Sequence, residues 1–174
     1  MIAAKKSPAA PREEELARRV VRSLSERRWT VSAAESCTGG LIAKLITDIP
    51  GSSAVFAGGC VSYTNDVKMR VLGVPRAIIE RDTEVSPSCA MAMADGARRL
   101  FKTDLAVSAT GFAGPAGGTP RDPVGTVYIG LSTPHGTTCV RLSADPSLSR
   151  GAIRTAAAAR ALEELLKQGF GKSD

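Results

Sequence analysis

Strand-like and helix-like segments alternate along most of this chain, and the alternation limits the folds open to it. Residues 29–34, 54–64 and 104–111 are short stretches of β-forming and small residues, and between them apolar residues recur at helical spacing. Two further strands are predicted at 124–132 and 137–143, and the segment "TPHG" between them indicates a hairpin. We therefore expect one α/β domain in which helices cover both faces of a mixed sheet.

Helical patterns account for most of the remaining chain. Residues 1–11 contain prolines and alanines without apolar periodicity, and they predict a flexible tail ahead of a domain that spans 12–170. The predicted helices cover 12–28, a segment from about Thr38 to Thr47, 65–73, a short piece opened by Pro75, 87–101 and 146–168.

Composition excludes several classes of protein. With 174 residues and 43% hydrophobic content, the chain can bury one core but is short for two. No apolar run approaches the roughly 20 residues of a membrane helix, and the N-terminus has no secretory h-region. The four cysteines are scattered without a CxxC pair, which is typical of reduced thiols in the cytoplasm. We expect a cytoplasmic protein that does not contact a membrane.

The net charge of +6 does not by itself indicate a nucleic-acid partner. Residues 1–30 hold eight Lys and Arg against four Asp and Glu, so most of the excess lies in the tail and first helix. Aromatic residues make up only 4% of the chain, and no basic stripe is interleaved with stacking rings. We do not expect nucleic-acid binding, and we interpret these charges as a solvated helix face.

The stretch "SAAESCTGGL" (32–41) places Ser36 where a strand gives way to a helix. Free N–H groups and the helix dipole at such a junction favour an anion, including the oxyanion of an acyl-transfer intermediate. Gly39 and Gly40 would each cost about 1 kcal/mol relative to alanine in a first helical turn. Close approach of a ligand is one reason to place glycine there, and a plain helix cap is the alternative interpretation of the junction.

A serine nucleophile needs a base. The single histidine, His135, lies in the predicted hairpin turn, far from the other motifs. Lys68 lies one turn inside a helix that Thr64 would cap, where desolvation and the helix dipole both act to lower its pKa. A solvated surface lysine is the alternative. Tyr63, just before this helix, could donate a hydrogen bond or simply pack.

The loop after residue 110 is rich in glycine, but its spacing matches neither dinucleotide fingerprint. Its backbone N–H groups could still hold a phosphate or a carboxamide, although a long connection rich in helix breakers is the simpler interpretation. Arg150 falls in the first turn of the last helix, where its charge opposes the dipole and would suit a phosphate.

Four segments together resemble a known family. In order and spacing, the chain is similar to the CinA C-terminal domain family over roughly residues 13–168, in the segments "AAESCTGGLIAKLITDIPGSSAVFAGG", "VSYTNDVKMRVLGV", "VSPSCAMAMADGAR" and "ATGFAGPAGGTPRDPVGTVYIG". The resemblance implies a three-layer α/β/α single domain that forms homodimers. It also implies hydrolysis of the carboxamide of nicotinamide mononucleotide, giving nicotinate mononucleotide and ammonia in pyridine-nucleotide salvage, without a metal or cofactor.

The resemblance also assigns roles to individual residues. The family nucleophile falls on Ser36 and its lysine base on Lys68, and Tyr63 completes the expected catalytic set. N–H groups around residues 37–40 would hold the oxyanion. The expected substrate-binding residues are Thr38, Gly39, Gly40, Asn65, Thr110, Gly111, Gly117, Gly118 and Arg150.

Two departures from the family pattern stand near the expected site. The family usually has Gly-Ala-Val-Ser where this chain has Thr83-Glu84-Val85-Ser86, and the usual Asp before the matching arginine is Ser149 here. Either change could retune the phosphate pocket.

Two other functions stay open. One is a nucleotide-binding or regulatory module without turnover, and the other is a competence- or DNA-damage-associated partner protein. A base placed beside a serine argues against the first, and only the basic N-terminal segment supports the second.

Overall fold

The computed structural model describes residues 12–168, and the predicted tail at 1–11 lies outside this range. None of the helices within it is long and apolar enough to cross a membrane. In chain order, the elements are α1 (Arg12–Arg27), β1 (Val31–Glu35), α2 (Leu41–Thr47), β2 (Phe56–Val61), α3 (Asn65–Leu72), α4 (Arg76–Asp82), α5 (Pro87–Phe101), β3 (Leu105–Gly111), β4 (Thr126–Thr133), β5 (Gly136–Ser143) and α6 (Arg150–Gln168).

The five strands form one mixed sheet in the order β2-β1-β3-β4-β5. Strand β1 pairs parallel with both β2 and β3, whereas β4 pairs antiparallel with β3 and with β5. Strands β4 and β5 are joined by a tight turn at residues 134–135, so the predicted hairpin and mixed sheet are both confirmed.

Helices cover the sheet on both faces, which confirms the three-layer α/β/α prediction. Helices α1, α2 and α6 pack together against one face, and α3 and α4 pack on α5, which covers the other. Strand β1 is buried along its whole length because it is covered from both sides. Each face has its own apolar cluster, one centred on residues of α1 and α6 and one on residues of α5.

Strand β1 is the point at which the topology changes direction. The chain leaves it through α2, on one face of the sheet, to reach β2 on one side. It then returns through α3, α4 and α5, which lie on the opposite face, to reach β3 on the other side. Ligands of open α/β sheets bind in the crevice that such a switch creates at the carboxyl ends of the strands. The fold therefore directs attention to the residues that follow β1, β2 and β3.

Helix α2 begins at Leu41, three residues later than the sequence predicts. Gly39 and Gly40 have φ angles of 60° and 95°, in the left-handed region that an α-helix excludes. Residues 36–40 therefore form a turn between β1 and α2. This backbone requirement accounts for the two glycines without any ligand.

Candidate active site

Ser36 and Lys68 meet at the carboxyl end of β1. The Nζ atom of Lys68 lies 3.1 Å from the Oγ atom of Ser36, although the two residues are 32 positions apart. Ser36 follows the last residue of β1, and Lys68 lies in α3, which follows β2. Because β1 and β2 run parallel and adjacent, the segments that follow them arrive at the same edge of the sheet. The predicted serine and lysine are therefore brought into hydrogen-bond contact.

The amine of Lys68 is buried and held by the main chain. The residue is only 1% exposed, and Nζ also donates to the carbonyl oxygens of Ser62 at 2.9 Å and Tyr63 at 3.5 Å. Burial lowers the pKa of Lys68, and the fields of Cys89, Glu84 and Cys37 oppose that shift. In its neutral form the amine has two N–H groups for the two carbonyls and a lone pair for the proton of the serine hydroxyl. This is the arrangement that a general base requires.

Helix α3 fixes the position of Lys68. The hydroxyl of Thr64 accepts a 3.3 Å hydrogen bond from the amide of Val67, so the predicted N-cap is present. The helix ends at Gly73 in the left-handed conformation. Asn65, a predicted substrate-binding residue, begins α3 but does not line the cavity that contains Lys68.

A buried carboxylate next to Ser36 caps helix α2. Glu35 is 1% exposed, and its carboxylate accepts hydrogen bonds from the first amides of α2, those of Gly40 at 2.9 Å, Ile42 at 3.1 Å and Ala43 at 2.8 Å. The positive end of the helix dipole is thus neutralised from within the protein. No role for Glu35 was predicted from the sequence, although the dipole of a helix favours an acidic residue near its start.

Of the backbone amides expected to hold an oxyanion, two are already used inside the protein. Gly40 donates to Glu35, and Gly39 donates to the carbonyl oxygen of Ser36 at 3.1 Å. Within residues 12–168, no group accepts a hydrogen bond from the amides of Cys37 and Thr38. Thr38 is fully buried, and of residues 37–40 only Cys37 lines the cavity that contains Ser36 and Lys68, so the geometry narrows the expected oxyanion donors to the amide of Cys37.

Arg154, which the sequence analysis did not single out, holds the turn that carries Ser36. Its guanidinium donates to the carbonyl oxygen of Thr38 from Nε at 3.2 Å and from Nη2 at 2.7 Å. The Thr38 hydroxyl is fully buried, and within the described range it has no hydrogen-bond partner. The signal for Arg154 was its spacing: it lies four residues after Arg150, on the same face of α6.

Ser36 and Lys68 lie in a cavity of about 210 Å³, which we call the dyad cavity. Its wall is completed by Cys37, Tyr63, residues 84–85, residues 110–114, Ala116 and Arg150. A neighbouring cavity of about 470 Å³ shares Val85 and Phe112 with it but contains neither Ser36 nor Lys68. The reactive pair therefore lies in the smaller of the two.

Arg150 and Tyr63 interact on the wall of the dyad cavity. The guanidinium of Arg150 donates to the carbonyl oxygen of Gly114 at 2.7 Å and to the hydroxyl of Tyr63 at 2.9 Å. Tyr63 is 59% exposed, and its hydroxyl is bonded to Arg150 rather than to Ser36 or Lys68. The structure therefore places the Tyr63 carbonyl, and not its hydroxyl, against the lysine amine.

Strand β3 and the loop after it form another part of the wall. Gly111 lines the cavity, and a Cβ atom there would lie 2.4 Å from the carbonyl oxygen of Thr126, so only glycine fits. Gly117 and Gly118 do not line the cavity; their φ angles of 95° and 87° shape the loop behind it. A Cβ atom at Gly118 would lie 2.8 Å from the amide nitrogen of Val124.

The connection between α4 and α5 brings Glu84 into the wall of the dyad cavity. Its carbonyl oxygen accepts a 2.7 Å hydrogen bond from the hydroxyl of Thr110, which is 1% exposed. Thr83, just before it, has φ 70° and ψ 170°, a conformation that non-glycine residues rarely adopt. Thr110, a predicted substrate-binding residue, therefore lines the cavity and also holds the backbone of residue 84 in place.

Cys37 follows Ser36 in the cavity wall, but its thiol is not set up as a nucleophile. Burial raises its pKa to about 12, so the thiol is protonated at neutral pH. Within residues 12–168, no three or more His, Cys, Asp and Glu side chains lie close enough together to hold a metal ion.

Comparison with known proteins places the chain in a family. A family model described as the CinA C-terminal domain matches residues 13–168. A CinA-like protein from Thermotoga maritima is 42% identical over 161 residues, which are 92% of this chain and 38% of that protein. The chain thus spans little more than a third of the length of the curated relatives that it matches.

Solved structures show the same fold over nearly their whole length. The competence/damage inducible protein CihA from Agrobacterium tumefaciens is 40% identical with a TM-score of 0.87, and the match covers 93% of this chain and 98% of that one. A competence-damaged protein (CinA) superfamily protein from Klebsiella pneumoniae is 29% identical with a TM-score of 0.86, over 90% of this chain and 97% of that one. The chain therefore belongs to the CinA C-terminal domain family.

Proposed function

We propose that this protein is an amidohydrolase that converts nicotinamide mononucleotide to nicotinate mononucleotide and ammonia. The observation that carries the proposal is the buried Lys68 amine 3.1 Å from the Ser36 hydroxyl, in a cavity open to a small ligand. A nucleotide-binding module without turnover has no need of a base at that distance from a serine.

The first half of the reaction transfers the acyl group to the protein. Neutral Lys68 takes the hydroxyl proton of Ser36, and Oγ attacks the carboxamide carbon. The amide of Cys37, a residue of the cavity wall, is left without an acceptor within residues 12–168 and would stabilise the negative charge that develops on the carbonyl oxygen. The Lys68 ammonium then gives its proton to the departing nitrogen, the C–N bond breaks and ammonia leaves, with the acyl group bound to Ser36 as an ester.

The second half returns the protein to its starting state. A water molecule attacks the ester carbon while Lys68 takes one of its protons. The C–O bond to Ser36 breaks, the Lys68 ammonium returns the proton to Oγ, and the product leaves as the carboxylic acid, which gives its remaining proton to solvent to become the carboxylate. One water is consumed and one ammonia is formed.

The dimensions of the site fit this substrate in two parts. A cavity of about 210 Å³ is smaller than the roughly 300–1,000 Å³ that holds a drug-sized ligand, so we assign to it the carboxamide-bearing ring. Arg150 lies on the cavity wall with two neutral acceptors, and no carboxylate within residues 12–168 pairs with it. Its uncompensated charge is suited to the phosphate of the nucleotide.

The test is ammonia release from nicotinamide mononucleotide in the presence of a chelator. We expect the unaltered protein to turn over and the variants Ser36→Ala and Lys68→Met each to lose at least a thousandfold in kcat. Two matched controls are Cys37→Ala, next to the nucleophile, and Lys44→Met, an exposed lysine paired with Asp48; both should keep activity within threefold.

Each of the other possible outcomes would contradict a different part of the proposed mechanism. Activity that survives in Ser36→Ala would remove the serine from the mechanism. Loss of activity in Cys37→Ala alone would move the nucleophile to the thiol. A protein that binds the nucleotide but releases no ammonia would be the module without turnover.

A further inference from the structure

Glu84 is the one carboxylate-bearing residue in the wall of the dyad cavity, across the described part of the chain. Its side chain is half-buried, and within residues 12–168 its carboxylate forms no hydrogen bond or ion pair. Its backbone is held by the 2.7 Å bond from Thr110. The wall thus contains a residue with a fixed backbone and an unpaired carboxylate, in the cavity that also holds Ser36 and Lys68.

A ligand that fills the dyad cavity would displace water from the half-buried Glu84 carboxylate, and a charge that loses its water is costly unless it is paired. Lys68 feels the field of Glu84, which opposes the lowering of its pKa, but its amine is bound to Ser36 and to two carbonyl oxygens and forms no ion pair with Glu84. Arg150 forms no ion pair with Glu84 either, because its guanidinium is turned to two neutral acceptors, the Tyr63 hydroxyl and the Gly114 carbonyl. A cationic ligand would supply the direct partner that neither residue provides.

We propose that Glu84 selects amides carried on a cationic ring, by placing its carboxylate against the positive charge of an N-substituted pyridinium. This inference rests on the proposed function and names what the site recognises in the substrate. The ring nitrogen of a nicotinamide nucleotide is cationic and the phosphate is anionic. Glu84 and Arg150 on the same wall match that pair of charges, with the carboxamide at Ser36.

Strain next to Glu84 is consistent with a side chain placed for a purpose. Thr83 has φ 70° and ψ 170°, and such strained residues collect where a binding site requires a particular geometry. The strain sets the direction in which the chain enters residue 84. Bonds from Thr83 and Ser86 then stabilise the connection, since Ser86 Oγ donates to the Thr83 carbonyl at 2.9 Å.

The experiment compares two probes that differ in ring charge. Nicotinamide mononucleotide has a cationic ring, and its dihydro form has the same carboxamide, ribose and phosphate on a neutral ring. We measure kcat/KM for ammonia release from both, in the unaltered protein and in Glu84→Gln. The ratio of cationic to neutral probe should fall about tenfold in the variant. Any effect of Glu84 on the pKa of Lys68 acts on both probes and cancels in the ratio.

A matched control and a binding measurement complete the design. Glu80→Gln removes an exposed carboxylate of α4 that pairs with Arg76, and it should leave the ratio unchanged. An unchanged ratio in Glu84→Gln would overturn the inference. If the unaltered protein releases no ammonia from either probe, the proposed function fails on its own. In that case, calorimetric Kd values of the same two probes test the role of Glu84. The inference is overturned if Glu84→Gln weakens the binding of both probes equally, or if neither probe binds the unaltered protein.

Discussion

The guanidinium of Arg154 and the carbonyl oxygen of Thr38 are joined by two hydrogen bonds, 3.2 Å from Nε and 2.7 Å from Nη2. The contact links α6 to the turn between β1 and α2, although Arg154 and Thr38 are more than a hundred positions apart in the chain. A planar guanidinium that donates twice restricts rotation as well as distance. The orientation of the turn that carries Ser36 therefore depends on a residue outside the dyad cavity.

Replacing Arg154 by methionine should lower kcat about tenfold with little change in KM. Hydrogen bonds from a charged group are each worth about 1.5–3 kcal/mol. Their loss would let the turn that carries Ser36 move, whereas the residues of the substrate-binding wall would keep their positions. Steady-state ammonia release measures the effect. Arg76→Met, which removes an exposed ion pair of α4, is the control. An unchanged kcat would show that the turn holds its shape without Arg154.

Glu35→Gln should destabilise the protein by about 2 kcal/mol, because one carboxylate now serves three amides and the carboxamide has only one acceptor oxygen. Its NH₂ group would also face N–H donors. Urea unfolding measures the change in free energy, with Glu80→Gln as an exposed control that should stay within about 0.5 kcal/mol. Equal effects in the two variants would contradict the capping role.

Lys68→Met should raise the melting temperature at neutral pH, and the gain should shrink as the pH rises. The pKa of Lys68 is lowered in the folded protein, so between its folded pKa and the unfolded value of 10.5 the unfolded chain binds more protons. The stability of the unaltered protein therefore rises with pH through that interval, and below it the cost of the buried charge is fully present. Melting curves of both proteins at several pH values test this. A gain that grows with pH would contradict the direction of the shift.

The rate of ammonia release should rise with pH as Lys68 loses its proton, with a midpoint below 10.5, because burial lowers the pKa of the amine. Glu84 opposes that shift, so Glu84→Gln should move the rising limb to lower pH. The measurement is kcat against pH in both proteins. An unchanged limb would show that the carboxylate does not act on Lys68, and a limb that moves to higher pH would contradict the direction of its effect.

Thr83→Gly should stabilise the protein by about 1 kcal/mol. Residues other than glycine cost on the order of 1–3 kcal/mol at φ 70° and ψ 170°, and glycine gives back about 0.5–1 kcal/mol through its flexible unfolded chain. Lys102→Gly is the matched control, since Lys102 has φ 53° and ψ 47°, where the cost is smaller. Urea unfolding decides, and a loss of stability in Thr83→Gly would show that its backbone is not strained.

Much of the fold could be predicted because helical spacing and β-forming runs repeat faithfully along the chain. The Thr64 cap, the tight turn at His135 and the covered strand β3 all follow from local patterns. The start of α2 could not be placed, because a glycine pair permits either a helical first turn or a left-handed turn. Only the second leaves the amide of Gly40 aimed at Glu35.

Some residues of the candidate site could likewise be predicted from local sequence, and others could not. Ser36 and Lys68 carry chemical signals of their own, and the parallel strands bring them together. Glu35, Glu84 and Arg154 are ordinary charged residues whose importance comes from the element that faces them, and a linear pattern does not contain that information. Their roles follow from tertiary contacts alone.

The amine of Lys68 is held by the carbonyl oxygens of residues 62 and 63, which any amino acid supplies. The alignment of the reactive pair thus does not depend on which side chains form the facing wall at 84–85 and 110–114. Residues 84, 85, 112 and 113 could be varied to admit other amides while Lys68 keeps its contact with Ser36, provided that Gly111 and Thr110 are retained. Under the proposed function, this architecture is a starting point for the directed evolution of amide hydrolases.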